Sequence, residues 1–190
     1  MDPFVKKSVQ EGYRARSVYK LMEIDDKDKI IKPGMSVVDL GAAPGSWTQI
    51  VKERLTDKDG KIDGKVIAMD ILPMEPIEGV HFREQEVADK LTDLLEGEKV
   101  DVVLSDMAPN LSGVAAADAA RCLLLNELAL DFAKENLKKN GSFVCKVFQG
   151  SGYSQYVEAC KKTFRKVSVR KPEASRSSSA EVYIVARDLK

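Results

Sequence analysis

Lys146 sits inside an apolar run, Phe143-Val144-Cys145-Lys146-Val147-Phe148, where an ammonium group is costly to bury unless an acid faces it. A lysine in that setting suits proton transfer or a core ion pair. Asp106 closes a second apolar run, Val102-Val103-Leu104-Ser105-Asp106. If both runs are parallel strands of one sheet, carboxylate and amine point into the same crevice at the carboxyl ends of the strands. Glu181 opens a third run, in which Glu181, Tyr183 and Val185 share one face. Each group also has a plain structural alternative: an internal ion pair for Lys146 with Asp106, and a solvated strand-end acid for Glu181.

A crevice of this kind needs a ligand, and Val37-Val38-Asp39-Leu40-Gly41-Ala42-Ala43-Pro44-Gly45-Ser46-Trp47 is where one is expected. Val37 and Val38 suit a strand buried on both faces, Gly41 and Gly45 let backbone approach a ligand closely, and Ser46 is expected to cap a helix starting near Trp47. The spacing from Gly41 to Gly45 matches neither a dinucleotide turn nor a phosphate loop ending in Gly-Lys-Ser/Thr. S-adenosylmethionine, whose amino-acid end is zwitterionic, is the remaining common occupant; an ordinary strand-to-helix turn is the alternative. Asp70, after Val66-Ile67-Ala68-Met69, is placed to accept hydrogen bonds from ribose hydroxyls, and Glu86 to face the adenine or its ribose.

The elements that must position these groups alternate in type from about residue 36 onward, the pattern of a mostly parallel α/β sheet. Strands are expected near Val37–Leu40, Lys65–Met69, Val80–Arg83, Val100–Ser105, Ser142–Phe148, Lys166–Arg170 and Val182–Ala186. Leu125, Leu128, Ala129, Phe132 and Leu137 fall on one helical face, as do Tyr153, Tyr156, Val157, Cys160 and Phe164. Arg14 to Ile24 also reads as a helix, able to lie over the ligand edge of the sheet. Thr56 to Gly64 is a polar excursion, and Ser175 to Ser179 is expected to be a mobile loop.

With 190 residues the chain fits one domain, 1–190, with residues 1–30 as a helical extension over the active-site edge. Lys plus Arg and Asp plus Glu both number 30, so any nucleic-acid footprint must come from local clustering. Lys6, Lys7, Arg14, Arg16 and Lys20 form one cluster, and Lys161, Lys162, Arg165, Lys166, Arg170, Lys171 and Arg176 the other. Both could equally be solvated faces. Cys122, Cys145 and Cys160 are widely spaced and fit reduced thiols; with His81 the single histidine, no metal site is expected. No run is long enough for a membrane span, and a cytoplasmic location is expected, or an organelle matrix.

Taken in order, Val38 to Trp47, Ser105-Asp106-Met107-Ala108-Pro109-Asn110, Lys146-Val147-Phe148-Gln149-Gly150, and Arg170-Lys171-Pro172 followed by Glu181-Val182-Tyr183 resemble the FtsJ (RrmJ) ribosomal RNA 2′-O-methyltransferases. The likeness extends to Glu11-Gly12-Tyr13-Arg14-Ala15-Arg16-Ser17 and Tyr19-Lys20-Leu21. The resemblance implies a class I methyltransferase (Rossmann-like) fold: a seven-stranded, mostly parallel sheet with helices on both faces and the last strand inserted antiparallel. It implies a Lys-Asp-Lys-Glu tetrad on Lys20, Asp106, Lys146 and Glu181, with Gly45 and Trp47 along the cofactor and Asp106 between cofactor and substrate. The family's acid near the adenine is an Asp where this chain has Glu86.

On that basis a methyl group is expected to pass from S-adenosylmethionine to a ribose 2′-hydroxyl of RNA, most plausibly a uridine of large-subunit ribosomal RNA in the ribosomal particle, with the protein acting as a monomer. Lys146 would accept the hydroxyl proton, Asp106 and Glu181 would hold the amine, and Lys20 would position the oxygen. Both basic clusters would straddle the crevice, and Tyr13, Tyr19 or Phe148 could stack on a base. A transfer RNA 2′-O-methyltransferase and a non-catalytic RNA-binding assembly factor are the alternatives. A base-amino methyltransferase and a dehydrogenase are disfavoured by the absent aromatic clamp and dinucleotide turn.

Overall fold

A computed structural model gives the fold of residues 1–89 and 91–190, with Thr92 described by its backbone alone. Two helices, α1 (Pro3–Glu11) and α2 (Val18–Asp28), precede β1 (Ser36–Leu40), and α3 (Ser46–Leu55) leads to β2 (Lys65–Asp70). Then come β3 (His81–Glu84), α4 (Thr92–Leu95), β4 (Val100–Ser105), α5 (Ala115–Asn136), β5 (Leu137–Phe148), α6 (Tyr153–Thr163), β6 (Phe164–Arg170) and β7 (Glu181–Leu189).

The seven strands form one sheet in the order β3-β2-β1-β4-β5-β7-β6. The first five run parallel, and β7 is inserted antiparallel between β5 and β6. Side-chain alternation gives the sheet two apolar faces. Val38, Leu40, Ile67, Met69, Val103, Phe143 and Ile184 face one core with residues of α5 and α6; Val37, Val66, Val102, Leu104, Val144 and Tyr183 face the other with residues of α2 and α3. Each such buried side chain contributes roughly 1.5–3 kcal/mol.

All seven expected strands are present; Val100–Ser105 has the expected ends and the other six differ. Leu137 and Phe164, grouped above with helical faces, are instead the first residues of β5 and β6. Both are buried, so an apolar residue just past a helix extends the helical pattern without belonging to it. The helix read over Arg14–Ile24 begins only at Val18, because Arg14 N–H donates to the Gln49 side chain instead of continuing a helix. Helix α1 falls within the helical extension expected over residues 1–30: Asp2 caps it by accepting from Phe4 N–H, Pro3 occupies its first position and Gly12 closes it in the left-handed region. Ser46 is the first residue of α3; Gly45 takes the cap position at φ 116°, and Ser46 Oγ lies 2.9 Å from Ser17 Oγ instead.

Candidate active site

The parallel strands deliver their carboxyl ends to one edge, and the inserted β7 brings its first residue there: Glu181 pairs with Phe148, and Tyr183 with Lys146. Lys146 Nζ lies 3.4 Å from Asp106 Oδ1 and 3.3 Å from the Asp106 carbonyl oxygen. Tyr183 OH donates to the same Oδ1 over 2.9 Å. Lys20, on α2, lies 2.5 Å from Glu181 Oε1, which also accepts from Ser175 Oγ over 2.8 Å. These four side chains are 10–17 % exposed, enclosed yet reachable from the crevice.

The two acids shift in opposite directions. Burial raises the Glu181 carboxyl, but hydrogen bonds from Lys20 and Ser175, with the Lys146 charge behind them, hold it below its ordinary value. Burial pushes Asp106 up, against the pull of Lys146 and the Tyr183 hydroxyl. Burial also pushes the neighbouring Cys145 thiol up to about 12, so it stays protonated and is no nucleophile.

On the ligand side, Gly41 and Gly45 have φ of 71° and 116°. A Cβ on Gly41 would come within 2.5 Å of Met107 Cγ, and one on Gly45 within 3.0 Å of the Arg14 guanidinium. That guanidinium donates to the carbonyls of Pro44, Glu75 and Pro76, tying the glycine turn to the loop after β2. Asp70 accepts from Ala43 N–H and Leu72 N–H, one on each oxygen, leaving further lone pairs for hydroxyl donors. Glu86 is exposed beyond β3, close in sequence to Gln85, whose N–H donates to the Asp70 carbonyl. Trp47 is 3 % exposed; its indole N–H donates to the Ser17 carbonyl and its ring packs on Tyr183. Its side chain is therefore a wall of the core.

Asp39 escaped the sequence reading as a site residue. It lies on β1 between the strands that carry Asp70 and Asp106, 1 % exposed, with Oδ2 accepting from Thr48 Oγ1 and Oδ1 without a partner. Burial, reinforced by the Asp106 and Asp70 charges against the Thr48 hydrogen bond, pushes it up to about 7. An edge with three carboxylates, one of them an orphaned acceptor, fits a cationic ligand such as a sulfonium. Tyr183 was noted for sharing a face with Glu181, and that alternation was the available signal for it. Ser175 had none. Among the described residues no group of His, Cys, Asp and Glu is arranged to hold a metal ion.

The basic clusters divide. β7 runs away from the crevice for nine residues, and Phe164 pairs with its far end at Leu189. Lys161, Lys162, Arg165 and Lys166 therefore lie at the opposite end of the sheet, roughly 25 Å from Glu181 at strand rise. They do not straddle the crevice. Arg16 is engaged with Asp2 and the Ala174 carbonyl, and Arg170 with Asp28. Lys6, Lys7, Lys171 and Arg176 are exposed, with Lys171 donating to the Ser179 and Glu181 carbonyls and Arg176 reaching Asp2.

Curated relatives match the whole chain. Proteins called ribosomal RNA large subunit methyltransferase E from Burkholderia lata and Bordetella pertussis are 55 % and 53 % identical over 100 % of this chain and 91 % and 92 % of their own lengths. A Plasmodium falciparum structure described as a ribosomal RNA methyltransferase superposes with a TM-score of 0.81 at 29 % identity, covering 93 % of this chain and 98 % of that one. Human methyltransferase-like protein 13, solved with S-adenosylhomocysteine, shares the fold at a TM-score of 0.60 and 15 % identity, over 82 % of this chain and 72 % of its own. Together with the FtsJ-like methyltransferase family model, which matches residues 13–189, the 55 % identity over the full chain makes this protein a member of that family.

Proposed function

We propose that the chain methylates a ribose 2′-hydroxyl of RNA, taking the methyl group from S-adenosylmethionine, and that its target is a uridine of large-subunit ribosomal RNA presented in the ribosomal particle. The observation that carries this reading is the meeting of two amine–acid pairs, Lys146 with Asp106 and Lys20 with Glu181, beside the glycine turn. The names of the 53–55 % identical relatives support the RNA class. The whole chain acts as one methyltransferase domain, residues 1–30 contributing Lys20 across the active-site edge.

Gly45, Asp70, Glu86 and Asp106 would hold the cofactor, with the backbone around Trp47 completing the turn and Asp39 setting the local charge. S-adenosylmethionine, when bound, supplies an electrophilic methyl group on a sulfonium. Orientation then carries much of the acceleration, and proton transfer contributes about a hundredfold or more. Lys146 Nζ, as the free amine, takes the hydroxyl proton and returns to an ammonium paired with Asp106 Oδ1. Tyr183 fixes that oxygen. Lys20, held by Glu181, donates to the ribose oxygen and sets its approach.

Lys146→Ala is expected to lower methyl transfer to large-subunit ribosomal RNA by about a hundredfold or more while cofactor affinity stays near wild type. Labelled-methyl transfer with mapping of ribose methylation reads both rate and position. A folded, cofactor-binding variant working at the normal rate would overturn the assignment, and modification appearing on transfer RNA would move the substrate.

A further inference from the structure

Ser175 lies in the turn between β6 and β7, buried beside exposed Ser177 and Ser178. The oxygen it donates to, Glu181 Oε1, is the one Lys20 reaches. Its placement is built from the other end of the molecule. Glu23 Oε2 and Oε1 accept from Glu173 N–H over 2.7 Å and Ala174 N–H over 3.0 Å, and the Arg16 guanidinium donates to the Ala174 carbonyl over 2.7 Å. Ala174 itself is fully buried. The chain is thus anchored at the two backbone positions just before Ser175, the first residue of the segment expected to be a mobile loop.

Glu23 follows Lys20 by three residues on α2, so both project from one helical face. That face brings two donors to a single carboxylate oxygen: Lys20 directly, and Ser175 through the clamped turn. A glutamate has rotamers to spare, and one donor leaves it free to swing about that contact; the second removes the freedom.

We propose that Ser175 is a positioning residue for methyl transfer, held on Glu181 by Glu23 and Arg16 so that the carboxylate presents Lys20 to the substrate oxygen in one orientation. This rests on the assignment of Lys20 and Glu181 to the catalytic group. Losing the hydroxyl removes a donor to the ionised acid, which makes Glu181 easier to protonate. The Glu181 carboxyl then titrates at higher pH.

The test measures kcat and KM for methyl transfer to large-subunit ribosomal RNA, and follows the Glu181 carboxyl by carbon-13 NMR titration, with wild type, Ser175→Ala, Ser175→Thr and Glu23→Gln. Ser175→Ala is expected to lose about tenfold in kcat with KM within about twofold, and to raise the Glu181 midpoint by about half a pH unit or more. Threonine, which keeps the hydroxyl, should restore the midpoint, and Glu23→Gln should move it in the alanine direction by less. An alanine variant with wild-type kcat and midpoint overturns the proposal. So do equal losses for alanine and threonine with the midpoint unmoved, the mark of a purely structural role. If alanine does not fold, the Glu181 midpoint of Glu23→Gln decides: displaced, it supports the clamp; unmoved, it ends it. Absence of 2′-O-methyl product with wild type would instead defeat the assigned reaction, whereas a normal wild type with an inactive Lys146→Ala confines any failure to Ser175.

Discussion

Asp39 shows how a residue can be prominent in a sequence and still hide its role. It was legible as part of the turn, but its charge state depends first on burial within the sheet and then on Asp106 and Asp70, which arrive from strands on either side. Because its folded pKa of about 7 lies above that of the unfolded chain, the protein binds this proton more tightly when folded. Its contribution to stability is therefore full at low pH and lost as pH rises from about 4 through about 7. Over that window the loss is on the order of a few kcal/mol. Asp39→Asn, which cannot titrate, is expected to flatten this part of the stability profile. Urea unfolding at a series of pH values measures it, and an unchanged slope would place the titration elsewhere.

Among elements, the joint between α2 and α3 decides whether the site assembles. Trp47 Nε1 donates to the Ser17 carbonyl, Ser46 meets Ser17, and Gln49 receives Arg14 N–H, so the start of α3 is stitched to the segment that launches α2 and its Lys20. Trp47→Phe keeps an aromatic ring but loses the indole donor and part of the buried volume, which should cost about 1–3 kcal/mol in denaturant unfolding. Methyl transfer should fall as well, since Lys20 depends on that joint; full stability with full activity would show the stitch to be dispensable. Strand existence was legible here because apolar runs carry their own period, as in Val100–Ser105. Helix ends were less so: Asp2, Pro3 and Gly12 spelled the limits of α1, whereas nothing as local marked Val18 as the start of α2.

On the scale of the molecule, sheet order sorts the positive charge. Lys161, Lys162, Arg165 and Lys166 follow β6 to the end remote from the crevice, whereas Lys171 and Arg176 stay beside Glu181. RNA affinity is expected to fall with added salt, with a log–log slope of roughly −2 to −4 for about three to five phosphate contacts. Arg176→Ala should reduce that slope by about 1, and Lys162→Ala with Arg165→Ala should leave it unchanged. Filter-binding titrations at several salt concentrations distinguish them; equal effects at both ends would mean that RNA wraps the whole sheet.

The linear chain by itself determined the strands, the glycine turn and the chemical types at the site, because these are written in patterns a few residues long. Which acid met which amine was decided by the tertiary structure. Lys20 and Glu181 stand 161 residues apart and touch because β7 enters antiparallel beside β5, bringing its first residue to the edge where the parallel strands end. Ser175, the charge on Asp39 and the far side taken by four of the basic residues follow from that same insertion and strand order, long-range facts that no local period encodes.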